Sequence, residues 1–343
     1  MPILQRSSTR NCSDREKRLW PTLAVFAGAL VCSLTAALLF GSAKADPAAA
    51  LRAALAGDFT QVDFRILFYV RLPRVCAGLL AGSALAVSGA VIQAVLQNPM
   101  AGPNVIGVNG GAGLAACVLI ALFPSALGLL PWAAFLGALA ACLLIYLLAR
   151  VTGAGRVTVA LVGVTVSSML SAGINTVKTL FPDALYNTNT FLVGGLSGVG
   201  YDRLQPAWLF ILAGLAAAFL LARPLDVLQL GADTAAGLGM NVERARLAAL
   251  AVASVLAGAA VSFAGLLGFV GLLAPHIARR LVGGRHRRLL PVCALGGATL
   301  VLLCDLAARG LFAPYEVPVG ILLSFVGGPF FLVLLLAGRR EGR

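Results

Sequence analysis

The side chains able to do chemistry are few in this chain, and they stand apart from one another. His276 and His286 are the only two histidines in 343 residues. Neither has a Cys or carboxylate beside it at the spacing metal ligands use, so no metal site is expected. The phosphate-cradling pattern GxxxxGK[ST] is absent, and the chain cannot supply ATP hydrolysis itself. Cys12, Cys32, Cys76, Cys117, Cys142, Cys293 and Cys304 lie mostly inside apolar runs with no CxxC pair, and read as small packing residues. Asp305 and Glu316 sit near a helix end and in a loop, so no intramembrane relay of carboxylates is evident. A membrane-embedded enzyme would need clustered His, Asp or Glu, and an ion-coupled secondary transporter would need midplane ionisable groups and half-repeats. Neither pattern is present, and the chain reads as a non-enzyme. The remaining polar features suit contact and positioning. They are Arg71, Arg74 and Arg309, the Pro275-His276 pair with Arg279 and Arg280, the Asn98-Pro99 break, and the stretch QLGADTAAGLGMNVERAR at 229–246.

The elements that hold these residues are apolar helices. The chain is 60% hydrophobic and 11% charged, with a mean hydropathy of +0.95, far outside the soluble range. Apolar runs at 20–40, 74–97, 104–123, 131–150, 157–181, 206–222, 289–308 and 318–338 approach or exceed the roughly 20 residues needed to cross hydrocarbon. The run at 247–278 is too long for one crossing and short for two. It is flanked by Arg244 and Arg246 on one side and by Arg279, Arg280, Arg285, Arg287 and Arg288 on the other. If both basic clusters are cytoplasmic, two crossings lie between them, bent at Gly265 and Gly268. The expected fold is therefore an all-α polytopic membrane protein of ten spans. It comprises a cytoplasmic tail 1–19, one transmembrane domain 20–338 and a cytoplasmic tail 339–343. Arg6, Arg10, Arg15, Lys17 and Arg18 precede the first run, and Ala43-Lys44-Ala45 after it mimics a signal-peptidase site. The run's length favours a retained span over a cleaved signal.

The formal charge of +13, from 26 Lys and Arg against 13 Asp and Glu, fits basic cytoplasmic loops. No interleaving of aromatic and basic residues suggests nucleic acid. In 229–246, Gly231 and Gly239 bracket a helix of about two turns, with Asp233 near its positive end. Leu228, Leu230 and Leu238 form an apolar patch there. Gly, Ser and Thr recur from Ala160 to Thr176, which would give a weakly polar wall that a large solute can slide along. Gln93, Asn175 and Asn187 are candidate pathway or helix-packing groups.

Three blocks resemble the FecCD-type permeases of bacterial ABC importers for iron-siderophores, haem and cobalamin. They are RLPRVCAGLLAGSALAVSGAVIQAVLQNPMAGPNVIGVNGGAGLAA at 71–116, LGADTAAGLGMNVERAR at 230–246, and GLLGFVGLLAPHIARRLVGGRHRRLLP at 265–291 with Asp305 to Arg309 and EVPVGILLSFVGGPFF at 316–331. The resemblance implies a type II importer in the inner membrane. Two permease subunits, identical or paralogous, would enclose one pathway. Separate ATPase subunits would bind ATP and Mg, and a substrate-binding protein would dock outside. It implies an ATPase-coupling role for Gly231, Asp233, Ala236, Gly237, Leu238, Gly239 and Arg244. It implies that Arg71, Arg74 and Arg309 meet acidic residues of the binding protein; the residue types equally allow helix-end anchors, or an Arg309–Asp305 pair one turn apart. Pro275, His276 and Arg279 match the family's PHxxR at a cytoplasmic helix end, where His276 is expected as a helix-terminal hydrogen-bonding residue. Residues 185–200 match a short outer helix at the pore mouth. The substrate implied is a ferric siderophore, with haem or cobalamin as alternatives.

Overall fold

The computed structural model describes residues 19–41, 45–151, 156–312 and 315–341. The basic N-terminal tail with Cys12, Ala43-Lys44 and the last two residues lie outside them. All regular structure among the described residues is helical. In chain order the helices are α1 (Leu19–Leu39), α2 (Pro47–Ala56), α3 (Leu72–Leu96), α4 (Val108–Leu122), α5 (Leu130–Val151), α6 (Arg156–Leu180), α7 (Leu185–Val193), α8 (Tyr201–Leu220), α9 (Ala222–Leu228), α10 (Ala232–Gly237), α11 (Val242–Ala264), α12 (Val270–Val282), α13 (His286–Leu311) and α14 (Val319–Glu341). Among the described residues, seven helical runs are long and apolar enough to cross a membrane: those carrying α1, α3, α5, α6, α8, α11 and α13. Helices α2, α4 and most of α14 are apolar but shorter. The chain is a multi-pass membrane protein.

Helix α3 is the axis of the bundle. The most apolar window of its run is 83% buried, against 11% for α1 and 17% for α6. The cause is its run of small residues. A methyl placed on Gly82 would lie 2.3 Å from the Gly297 carbonyl of α13, and one on Gly89 would lie 1.9 Å from the Gly271 carbonyl of α12. Backbone therefore meets backbone, the packing that small residues permit between membrane helices. Helix α1 lies on α3 and α13 through Ala37, Val75 and Leu302.

The long run at 247–278 breaks between Ala264 and Val270, the region of the expected bend. Gly265 takes a left-handed φ of 67°, which a Cβ-bearing residue adopts only at a cost. Non-helical backbone among membrane helices must find partners within the protein. Here Leu266 N–H donates to Phe191 O (3.2 Å), Gly195 N–H to Ala264 O (2.9 Å) and Gly320 N–H to Gly194 O (3.2 Å). The break is thus stitched to the end of α7 and the start of α14. Helix α12 has 13 residues, about 20 Å of rise.

The segment between α1 and α3 has more structure than its composition suggested. Helix α2 is capped by Asp46, whose carboxylate accepts from Ala48 N–H, and stopped by Gly57 at φ 73°. Val62–Arg65 and a π-helical Ile66–Arg71 then lead directly into α3.

Candidate transport and coupling sites

Three places gather the polar residues singled out in the sequence. The first is the end of the bundle where α3 begins and α13 ends. Arg74 lays its Nε and Nη2 on Asp305 Oδ1 at 3.1 and 3.0 Å, and its Nη1 on Glu316 Oε2 at 2.8 Å. Arg309, one turn after Asp305, puts Nε 3.1 Å from Asp305 Oδ2. Arg71 donates through Nη1 to the carbonyls of Leu38 and Leu39, capping α1. The three arginines are only 4%, 7% and 3% exposed for Arg71, Arg74 and Arg309, and Asp305 is 1% exposed. Arg71 and Arg309 thus take the alternatives the residue types allowed, a helix-end anchor and a pair with Asp305 one turn earlier, and the three side chains do not face outward. The guanidiniums turn inward because each finds a carboxylate or an orphan helix carbonyl there, and a buried charge is tolerable only when so paired. Beside the cluster opens a cleft of about 230 Å³ lined by Arg74, Asn187, Thr190, Ser197, Arg203 and Glu316. Ser197 Oγ also donates to Glu316 (3.1 Å).

The second place is the opposite end, around α9 to α12. Gly231 (φ 109°) and Gly239 (φ 81°) do bracket a short helix, α10, with Asp233 in its first turn. Ala236, Gly237 and Leu238 follow on its last turn and end. Leu230 and Leu238 are exposed at 61% and 65%, whereas Leu228 is 3% exposed and belongs to the core. The expected three-leucine patch is therefore a pair, because α9 turns Leu228 inward. Arg244 lies in α11, where Asn241 caps the helix by accepting from Arg244 N–H (3.0 Å). Asn98-Pro99 breaks the chain after α3: Gln97 is left-handed at φ 47°, and Asn98 Oδ1 accepts from Met100 N–H (2.9 Å).

Pro275 and His276 sit inside α12, six or more residues before its end, which corrects the helix-terminal position expected for them. Pro275 lacks an N–H, so the Gly271 carbonyl four residues back loses its helical donor. Gln93 of α3 replaces it: Nε2 donates to Gly271 O (3.3 Å), while Oε1 accepts from Arg279 Nη2 (3.2 Å). Gln93 is thereby a helix-packing group. The His276 ring meets Phe330 edge-on at 6.1 Å, and its buried Nε2 has no hydrogen-bond partner. The other imidazole is paired across 60 positions of sequence. His286 is fully buried, and both its N–H and its Nδ1 lie 2.7 Å from Asp226 Oδ1. Sequence reasoning missed this pair, because nothing local links a residue of α9 to the start of α13. Among the described residues no group of three His, Cys, Asp or Glu lies together.

The third place is the wall of α6. Leu161, Thr165, Ser168, Ala172, Asn175, Thr176 and Thr179 are all exposed. At about 100° per residue they fall within an arc of roughly 100°. Thr165, Ser168, Thr176 and Thr179 each donate to the carbonyl four residues earlier, at 2.9 to 3.0 Å. Their donors are spent on their own helix. The stripe exposes hydroxyl oxygens and one amide alongside Leu161 and Ala172, with Val164 and Met169 exposed at its edges.

This geometry has known counterparts. The profile of the FecCD transport family matches residues 29–337. The Fe(3+)-citrate import system permease protein YfmE of Bacillus subtilis is 37% identical over 329 residues, covering 95% of this chain and 98% of that one. The ferric enterobactin transport system permease protein FepG of Escherichia coli is 39% identical over 296 residues, covering 84% and 88%. The hemin transport system permease protein HmuU of Yersinia pestis is 38% identical over 284 residues, covering 81% and 85%. A solved structure described as a metal-chelate type ABC transporter in an inward-facing conformation superposes with a TM-score of 0.81 at 28% identity, covering 92% of this chain and 98% of that one. The chain belongs to the FecCD transport family.

Proposed function

We propose that this chain is the permease subunit of an ABC importer that moves a ferric siderophore across the inner membrane, driven by a separate ATPase and fed by a binding protein. The observation that carries the reading is the α6 stripe. A span whose exposed face bears Thr165, Ser168, Asn175, Thr176 and Thr179 is poorly matched to lipid tails and well matched to a watery passage shared with a second permease subunit. The absence of ligand-grade polar clusters on that face suits a large chelate that must not be trapped. In this reading the chain crosses ten times, with α1, α3, α4, α5, α6, α8, α11, α12, α13 and α14, and both termini are cytoplasmic. The relatives YfmE, FepG and HmuU are named for import of iron-citrate, ferric enterobactin and hemin, which supports an iron-chelate cargo. Haem or cobalamin import is the alternative within the family.

In the same reading α10, with exposed Leu230 and Leu238 and the left-handed Gly231 and Gly239, is the helix an ATPase grips. The buried Arg74–Asp305–Arg309 cluster then organises the outer mouth from within, and a binding protein would meet the outer rim around it. Single cysteines at Ser168, Asn175 and Thr179 test the pathway. In the assembled importer, a hydrophilic thiol reagent should label them and cargo should protect them. Labelling no faster than at a lipid-facing control such as Val25 would refute the reading.

A further inference from the structure

Three helix ends meet beneath α10, and side chains of α9 and of the α3 C-cap bond them together. The N-terminus of α13 has unpaired N–H groups and a positive dipole end. Its cap does not come from Arg285 before it, which makes no side-chain cap bond, but from Asp226 of α9, whose Oδ1 accepts from His286 N–H. The C-terminus of α9 presents the Leu228 carbonyl, and Gln97, the left-handed C-cap of α3, donates its Nε2 to it. The imidazole closes the arrangement. Its Nδ1 against the same Asp226 oxygen marks Nδ1 as the protonated nitrogen. His286 Nε2 is left buried with no partner, a cost that an apolar side chain in the same space would avoid.

We propose that Asp226–His286 and Gln97–Leu228 tie α9, and through it α10, to α3 and α13, so that displacement of α10 is carried to the far end of the bundle. The path is continuous in named contacts. Helix α13 runs from His286 to Asp305 and Arg309. Gly82 and Gly297 hold it against α3 backbone to backbone. Arg74 on Asp305 pins the two helices again where Glu316 and the cleft begin. Asp226 and His286 are positioning residues, and neither touches cargo or nucleotide. The inference rests on the coupling role of α10 given above.

The test uses the complete importer in nanodiscs and hydrogen exchange with and without ATP plus vanadate. In the unsubstituted complex, nucleotide should change exchange both at residues 230–240 and at the far ends of α3 and α13, residues 72–78 and 305–311. In His286→Ala, and equally in Asp226→Ala, the change at 230–240 should persist while the far-end change falls roughly fivefold or more. His286→Asn places an amide donor near the position of Nδ1 and should restore it, which separates positioning from general loss of structure. A far-end response in His286→Ala equal to that of the unsubstituted complex overturns the proposal. If the alanine variants do not assemble, an His286→Asn complex that assembles without a far-end response overturns it too. A complex with no response at 230–240 before any substitution removes the coupling reading, and this inference with it.

Discussion

Replacing Asp305 by alanine should be among the most damaging single changes in the chain. Asp305 is 1% exposed and is the shared counterion of Arg74 and Arg309, themselves 7% and 3% exposed. Arg74 keeps Glu316, but Arg309 would keep only carbonyl contacts, such as that from Nη1 to Phe40 O at 3.4 Å. Removing one partner of a buried pair leaves an uncompensated charge and costs about 3–5 kcal/mol. The same principle predicts that the network itself is not a net source of stability. The triple variant Arg74→Met, Asp305→Leu, Arg309→Met removes the three buried charges together, leaves the 29% exposed Glu316 side chain to solvent and the Ser197 hydroxyl, and should unfold closer to the natural protein than Asp305→Ala does. The assay is thermal unfolding of the purified chain in nanodiscs, with the exposed Asp202→Ala as control. Asp305→Ala melting with the control would refute the buried-cluster account, as would a triple variant clearly worse than the single.

Gly82→Ala should destabilise by about 1–3 kcal/mol, because its methyl would meet the Gly297 carbonyl at 2.3 Å; Gly28→Ala, with nothing within 4 Å, should be neutral in the same melts. Leu238→Glu should leave the melt unchanged, since the side chain is 65% exposed, yet abolish co-purification of the ATPase; retained co-purification would count against α10 as the gripped helix. For Asp226, burial pushes the carboxyl up, but the hydrogen bonds from His286 and the nearby Arg285 hold it below the ordinary carboxylate range. A folded-state pKa that is lowered gives stability present above the unfolded value, about 4, and lost as pH falls through the folded one. The melting difference between the natural protein and Asp226→Ala should therefore be full at neutral pH and shrink in acid below about pH 4. A difference that grows in acid would contradict the pairing.

What the sequence made legible was the part governed by local periodicity. Apolar runs located the long helices, Gly265 and Gly268 located the break after α11, and Gly231 and Gly239 located the ends of α10. Distant pairing was not legible. Arg74 and Asp305 stand 231 positions apart, and no local pattern shows that an arginine before a span turns inward to a carboxylate. Leu228 looked like a partner of Leu230 and Leu238 until α9 formed and buried it. The match to PHxxR puts Pro275 at a helix end; Gln93, which donates to the Gly271 carbonyl 178 positions later, lets α12 continue through the proline. Helix α2 escaped notice because ten residues give too little periodicity to separate helix from linker.

In the proposed function this chain passes ferric siderophore when a separate ATPase drives it. The direct measurement is uptake of radiolabelled iron-siderophore into proteoliposomes holding the chain, its ATPase and its binding protein. Uptake should require ATP on the α10 side and the binding protein on the other, and should stop with Leu238→Glu. Uptake by the chain alone under a proton or sodium gradient, without ATP, would contradict the account.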